Sequence, residues 1–194
     1  LQGELGGVWS QSHEPTFDEH GTLLLNSKKF ALDLFYQHVD QKNYTTSGFD
    51  SYHLLNDGTT HHIASLMQNR YKGYSHNVRL GMDYNFSKNH LLSLVYQLAN
   101  TSGSSRQTTT GDIMSIVDFK KHKWLHNLRL DYIAPFGLKA GAELTYYHNP
   151  SHENFQSTIP TGAMQVAVDN EQRVNRWRFY LAKEHQLKDG WGLN

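Results

Sequence analysis

The sequence predicts an all-β protein whose strands are antiparallel and joined as a meander. Residues 78–86, VRLGMDYNF, alternate apolar and polar side chains without a break, and Ser87, Lys88 and Asn89 then turn the chain into residues 90–98. A period of two is typical of a β-strand with one apolar and one polar face. The same pattern recurs around a second turn, APFG at residues 134–137, where Pro and Gly suit a tight turn.

The other elements follow from the same two signals, alternation and turn residues. The first half is predicted to contain a loosely alternating strand at residues 1–12, a polar loop at 13–21, a hairpin of 22–25 and 30–39 around a turn at 26–29, a long loop at 41–68, and a return strand at 70–86 that leads into residues 90–98. The second half is predicted to contain a polar tip at 100–111, a strand from 112 to 132, a strand at 138–147, a loop at 149–170, a strand at 175–182, a turn at 188–190 and a last strand from 191 to 194. Pro150 and Pro160 argue against a central strand in the third loop.

The strand lengths and the spacing of the turns indicate a sheet that crosses a membrane. Residues 78–86 extend over roughly 30 Å, or about 21 Å at a tilt near 45°, close to the apolar band of an outer-membrane barrel. The short turns at 27, 88, 136 and 189 alternate with long loops, whereas soluble sandwiches usually turn every 8 to 12 residues or so at both ends. Aromatic residues lie beside the short turns and again about ten residues away, as in two interfacial belts. The first group is Tyr84, Phe86, Tyr132, Phe136 and Trp191, and the second is Trp124, Tyr146 and Trp177.

Composition excludes several other classes of protein. Eighteen basic residues balance eighteen acidic ones, so no net field attracts nucleic acid. There is no cysteine, which excludes disulfides and thiolate metal sites. No run approaches the roughly 18 apolar residues of a spanning helix. The chain opens on Leu1 without a basic and apolar leader, so we expect either a processed protein or an excerpt of a longer one.

Three stretches carry a family resemblance. GMDYNFSKNHLLSLVYQ, LRLDYIAPFGLKAGAELTYY and WRFYLAKEHQLKDGWGLN resemble the C-terminal barrel segment of TonB-dependent receptors and related outer-membrane β-barrel proteins of the Bacteroidetes type, and LQGELGGVWSQS is similar to an opening strand of such a segment. The resemblance implies energised import of a bound nutrient through a barrel of about 22 strands closed by an N-terminal plug, in the outer membrane of a Gram-negative cell.

On this interpretation residues 1–194 are a partial barrel domain of about eight strands plus the start of a ninth, without the plug. The expected partners are outer-membrane lipid, the plug and the remaining strands of the same polypeptide, TonB through the missing N-terminal part, and a nutrient that the sequence does not name. An open strand edge is not tolerated in hydrocarbon, so further strands should cover it, although eight strands could also close alone. The polar face is expected to point toward the lumen and to carry Arg79, Asp83, Arg129, Asp131, Lys139, Glu143, Arg176 and Arg178.

No catalytic, cofactor-binding or metal-binding residue is predicted. His53, His61 and His62 share the longest loop, yet their spacing matches no established metal site. The carboxylates Asp83, Asp131 and Glu143 could suggest acid and base catalysis, but beside arginines and lysines they fit a charged barrel wall better. GSSRQTTTG lacks the strand, nucleophile and helix order of a hydrolase elbow.

Two other functional classes stay open. The main alternative is a soluble β-sandwich module that binds carbohydrate, in which exposed aromatics such as Trp124 and Trp177 would stack on sugar rings. The membrane interpretation fails if Val78, Leu80, Met82, Leu128, Leu130, Leu138 and Leu144 pack against a second protein sheet. An enzyme is a distant third, because no group of residues supplies a nucleophile, a base and an orienting partner together.

Overall fold

The computed structural model describes residues 1–159, 162–183, 185–186 and 192–193, and nearly all of them lie in antiparallel β-strands. The strands are β1 (Gln2–Gln11), β2 (Pro15–Asn26), β3 (Phe30–Leu54), β4 (Thr60–Ser87), β5 (His90–Gly111), β6 (Met114–Ala134), β7 (Leu138–Ile159), β8 (Gly162–Lys183), β9 (His185–Gln186) and β10 (Gly192–Leu193). Strands β1 to β8 form one sheet in the order of the sequence, and β9 pairs with β10. The predicted all-β antiparallel meander is therefore confirmed, and the one helical element of the described chain is a 3-10 turn, Pro135–Gly137.

Three of the four predicted short turns are present, and they lie at the same end of the sheet, which we call the short-turn end. In the β2–β3 turn the amide of Ser27 donates to the carbonyl of Phe30 at 2.8 Å. In the β6–β7 turn Phe136 adopts a left-handed conformation with φ of 72° and is followed by Gly137 at 73°. The predicted turn at 188–190 and the predicted strand start at Trp191 lie outside the described residues.

The four long polar loops predicted at 13–21, 41–68, 100–111 and 149–170 are wrong. The chain folds instead as strand almost to the tip of each hairpin, leaving residues 12–14, 55–59 and 112–113 as the connections. The ladder between β3 and β4 runs unbroken from Phe30 opposite Tyr84 to Leu54 opposite Thr60. Backbone hydrogen bonds hold such strands together whatever their side chains are, so a polar composition did not exclude strand here.

Pro150 shows how the sheet accommodates a residue that sequence rules assign to loops. It lies within β7 and is paired with Glu171 of β8. On its other side the β6–β7 ladder is interrupted, because His122 and Lys123 have no paired residue in β7. Proline has no N–H to donate, so the missing rungs lie where the amide is missing. Pro160 lies outside the described residues.

The β3–β4 hairpin extends beyond its neighbours at the far end of the sheet. Pairing of β4 with β5 stops at Ser65, opposite Gly111, and pairing of β2 with β3 stops at Asp40, opposite Phe17. Residues 51–64 therefore form a two-stranded ribbon around the turn at 55–59. In that turn the Asp57 carboxylate accepts from the amide and the hydroxyl of Thr59, at 2.9 and 2.6 Å, and this bonding lowers the pKa of Asp57.

Strands β1 and β8 are the two edges of the eight-stranded sheet, because the described residues provide neither with a second neighbour. The sheet has two distinct faces, since paired residues in an antiparallel ladder project to the same side. Even-numbered residues of β3 to β7 share one face with odd-numbered residues of β2 and β8, and the remaining residues of these strands share the other face. We call the two faces even-numbered and odd-numbered, after the numbering of β3 to β7. No second layer of the described chain packs on either face.

Small residues make room for large rings on the odd-numbered face. Gly141 of β7 is directly opposite Tyr180 of β8, and a Cβ built on Gly141 would overlap the Tyr180 ring. Gly73 and Gly103 are likewise paired across β4 and β5, and the Tyr71 ring lies over both. A ring that lies flat over a glycine covers exposed backbone and fixes the local register.

We predict that Gly141→Val destabilises the sheet by about 1–3 kcal/mol, because the Tyr180 ring must leave its position. Gly48→Val is the matched control, since a Cβ at Gly48 meets no atom within 4 Å. Denaturant unfolding of the full-length protein checks the difference, and a second change, Tyr180→Ser, should restore part of the loss. Equal effects of the two glycine substitutions would contradict the packing account.

Candidate functional site

The even-numbered face carries an apolar band next to the short-turn end. It consists of three rows of directly paired residues that run across the sheet and contain no charged side chain. The rows are Leu23, Leu34, Leu80, Tyr96, Leu128, Leu144 and Trp177; Leu25, Leu32, Met82, Leu94, Leu130, Ala142 and Phe179; and Phe30, Tyr84, Leu92, Tyr132, Ala140 and Leu181. These side chains are half-buried or exposed, with Trp177 at 68%. The band is an apolar surface that the described chain leaves uncovered.

Ring-shaped side chains border the band on both sides. On the short-turn side Phe86 lies 4.7 Å from Tyr84 and 5.0 Å from His90, measured between ring centroids, and His90 hydrogen-bonds to the Tyr132 hydroxyl. On the far side is a second group of rings that mixes histidine with tyrosine and tryptophan. It comprises Tyr36, His38, His76, Trp124, His126, Tyr146 and His148.

The far group is connected by stacking and by hydrogen bonds. The Tyr36 hydroxyl lies 2.9 Å from Nδ1 of His76, and the His38 and His76 rings stack at 4.6 Å. Trp124 stacks on His126 at 5.8 Å. Trp124 and Tyr146 were predicted to lie in this belt, but its histidines, which occupy the same alternation as the leucines, were not. Trp177 was predicted to lie in this belt, but it lies within the apolar band, in the row of Leu144 and Leu128.

The distance between the two ring groups along a strand measures the height of the apolar band. His76 and Phe86 lie ten residues apart on β4. At about 3.4 Å per residue this distance is roughly 34 Å along the strand, or about 24 Å at a tilt of 45°. The apolar band of an outer-membrane barrel is about 25 Å tall and is flanked by aromatic girdles. The band therefore has the dimensions of a lipid-facing surface.

The opposite face of the same strands is polar and charged. The structure places all eight predicted residues on it: Arg79, Asp83, Arg129, Asp131, Lys139, Glu143, Arg176 and Arg178. Arg129 donates from Nε to Asp131 at 2.6 Å, and Arg79 lies 3.8 Å from Asp33. Glu143 is directly opposite both Arg129 and Arg178. Glu143 thus lies between arginines of two neighbouring strands and Asp131 pairs with an arginine of its own strand, which is a structural arrangement.

The three histidines that invited a metal hypothesis do not converge. His53 and His61 are paired near the tip of the β3–β4 ribbon, whereas His62 projects to the other face. There His62 stacks on Tyr52 and hydrogen-bonds to Asp50 at 2.7 Å. Within the described residues no three histidines, aspartates or glutamates are grouped to hold a metal ion. The GSSRQTTTG segment lies in β5, where Arg106 pairs with Asp118 of β6.

Beyond the far ring group, ion pairs replace apolar contacts on the even-numbered face. Lys42 lies 2.9 Å from Asp40, and His148 lies 2.8 Å from Glu171. Asp40, His148 and Glu171 line a hollow of about 1030 Å³, which Lys72 and Lys120 also line. The basic and acidic groups neutralise one another, so the surface is suited to water and polar headgroups.

No protein-family model matches the sequence, and no curated protein matches it. Among the described residues, no helix is long and apolar enough to cross a membrane. The class of protein is therefore defined by the fold alone, an all-β antiparallel meander with one apolar and one charged face.

The β1–β2 turn is fastened to β4 by an ion pair whose strength depends on pH. Glu14 accepts a hydrogen bond from Arg70, and Lys72 lies 3.4 Å away. The hydrogen bond from Arg70, and then the two positive charges, lower the pKa of Glu14 from 4.5. Because the pKa of Glu14 is lower in the folded chain than in the unfolded chain, its ion pair stabilises the fold at pH values above the unfolded-state pKa. This stabilisation is lost as the pH falls through the folded-state pKa.

We predict that Glu14→Gln speeds amide hydrogen exchange in residues 12–14 at pH 7, because the turn loses its ion pair with β4. The difference between the variant and the unaltered protein should shrink as the pH falls through the lowered pKa of Glu14, since protonation removes the negative charge that pairs with Arg70 and Lys72. Glu4→Gln is the control, because Glu4 belongs to the same hairpin and has no ion pair in the described structure. A difference that stays the same as the pH is lowered would contradict this account.

Proposed function

We propose that this chain forms part of the wall of an outer-membrane β-barrel, in a receptor that imports a nutrient with energy from TonB. The observation that carries the membrane part is the uncovered apolar band with ring-shaped side chains at both borders. An exposed apolar surface of this extent needs a partner, and a band about 24 Å tall matches lipid. The receptor part rests on the resemblance of the three sequence stretches to the TonB-dependent family.

The soluble sandwich with carbohydrate-binding aromatics is the alternative. A sandwich buries the apolar faces of two sheets against each other. The described chain instead forms one eight-stranded sheet in sequence order, and Leu80, Leu128 and Leu144 share a row that no other layer covers. This topology supports lipid, rather than a second sheet, as the cover.

The two open edges support a larger barrel. Strands β1 and β8 each have unpaired backbone groups along one side within the described sheet. Each such group costs several kcal/mol in hydrocarbon, so the edges require further strands or pairing with each other. On β8 the residues beside the open edge include Trp177, Phe179 and Leu181, which belong to the apolar band. We infer that neighbouring strands of the same polypeptide continue the wall on both sides.

We predict that Leu94→Arg disrupts the protein and that Ser93→Arg, one residue away, is tolerated. Leu94 lies in the middle row of the band, where an arginine facing lipid costs about 2–4 kcal/mol. Ser93 lies on the charged face between Asp83 and Asp131, which would attract the new guanidinium. The measurement is the yield of heat-modifiable full-length protein in outer-membrane fractions. Comparable yields for the two variants would remove the basis for assigning the band to lipid.

We predict that probes on adjacent residues of β5 report opposite environments. A fluorophore at Leu98→Cys should be quenched by a lipid-phase quencher, and one at Gln97→Cys should be quenched by a water-soluble one, because the two residues lie on opposite faces. The chain has no cysteine of its own, so the labels are specific within it. Protection of the residue 98 probe from both quenchers would instead support the sandwich, where a second sheet covers that position.

A further inference from the structure

Apolar residues also lie together on the odd-numbered face, beyond the level of the far ring group. Five of them adjoin one another, and we call them the far apolar patch. The members are Val117 and Phe119 of β6, Phe155 of β7, and Val166 and Val168 of β8. Val117, Phe155 and Val166 are directly paired in one row, and Phe119 and Val168 lie in the next row. The patch is half-buried to exposed, with Val166 and Val168 each 41% exposed.

A single carboxylate lies within the far apolar patch. Glu153 of β7 is directly opposite Phe119 on one side and directly opposite Val168 on the other. Phe155 follows two residues later on the same strand and the same face. Directly paired residues have Cβ atoms about 4.5–5.5 Å apart, so the carboxylate has apolar side chains on three sides. Glu153 is exposed and forms no ion pair with any described residue.

The charge of Glu153 is isolated on this part of the odd-numbered face. Its own row and the two rows beyond it contain no other charged side chain on the described parts of β5 to β8. The rows are Ser105, Phe119, Glu153 and Val168; Gln107, Val117, Phe155 and Val166; and Thr109, Ser115, Ser157 and Met164. Lys121 lies in the preceding row, but its ammonium is 5.6 Å from the centre of the Tyr71 ring on β4, on the side away from β7. The negative charge of Glu153 is therefore not neutralised by the sheet.

Lipid cannot cover the far apolar patch if the apolar band faces lipid. The two surfaces are on opposite faces of the same strands, so the patch lines the inside of the proposed wall. It also lies beyond the membrane, because Val117 is seven residues past Trp124 on β6, which is about 17 Å in height at a tilt of 45°. The patch is thus placed where a compound that enters the proposed barrel from outside the cell first meets the wall.

We propose that the far apolar patch binds an amphipathic cation, in which an ammonium group is attached to an aromatic or branched apolar body. The ammonium meets the Glu153 carboxylate, and the rings of Phe119 and Phe155 attract it through their π electrons. The apolar body leaves water over Val117 and Val166.

Charge complementarity selects this class of ligand. Glu153 repels an anion, and an uncharged compound leaves the carboxylate without a partner. A cation without an apolar body leaves the valines and phenylalanines of the patch in water. The assignment rests on the proposed barrel and names the substrate class of its receptor.

The test is calorimetric titration of the full-length protein in lipid nanodiscs with 2-phenylethylammonium and its uncharged analogue 2-phenylethanol, with empty nanodiscs as the blank. The unaltered protein should bind the ammonium compound about tenfold more tightly than the alcohol. Glu153→Gln should abolish that preference and leave the affinity for the alcohol unchanged. Phe155→Ser with Val166→Ser should weaken both compounds about tenfold, because apolar contact area is lost.

Asp169→Asn is the matched control. Asp169 is directly opposite His152, so it lies beside the pair of Glu153 and Val168, but it belongs to the even-numbered face. The substitution removes one negative charge from the same part of the sheet, and it should leave the preference for the ammonium compound unchanged.

Four results would overturn the proposal: no preference in the unaltered protein, a preference that survives Glu153→Gln, an equal loss of preference in Asp169→Asn, or unchanged affinities in Phe155→Ser with Val166→Ser. The last would mean that another part of the protein covers the patch. Failure of the membrane proposal is recognised separately, by protein that does not enter nanodiscs. The same titrations are then run in buffer, where loss of the preference in Glu153→Gln would still support the site.

Discussion

The continuous antiparallel ladder is the constraint on which every other feature of this sheet depends. Because seven successive pairings keep their register over most of their length, the parity of a residue decides which face it occupies. A shift of one residue would move every leucine of the apolar band to the charged face. The one irregularity in the β4–β5 ladder, between Asn85 and Ser87, lies at the short turn, where it does not disturb the band.

The part of the fold near the short-turn end could be predicted from the sequence because apolar and polar residues alternate there without a break. Leu128, Leu130 and Tyr132 alternate with Asn127, Arg129 and Asp131, and the structure places the two sets on opposite faces. The far halves of the strands could not be read in this way. In water both faces accept polar residues, so a segment such as Asn100 to Gly111 has no alternation to detect and resembles a loop.

The two surfaces with functional interest were unequally visible in the sequence. The charged face was found because arginines and aspartates alternate with leucines in short, regular segments. The apolar row of Val117, Phe155 and Val166 on the same face was missed because its members come from three different strands. Val117, Phe155 and Val166 become adjacent only once the registers of β6, β7 and β8 are known. The histidines of the far ring group were missed for the same reason.

The two-stranded ribbon at residues 51–64 is the part of the sheet with the fewest lateral restraints. A two-stranded ribbon twists more strongly than a wide sheet and is marginally stable by itself. Its tip carries Tyr52 and Leu54, which are 70% and 76% exposed, around a turn built on Gly58 with a φ of 81°. In the proposed barrel such a ribbon would be the first element that an antibody or a bacteriophage meets, and its sequence could therefore diverge under immune or viral selection without altering the proposed wall beneath it.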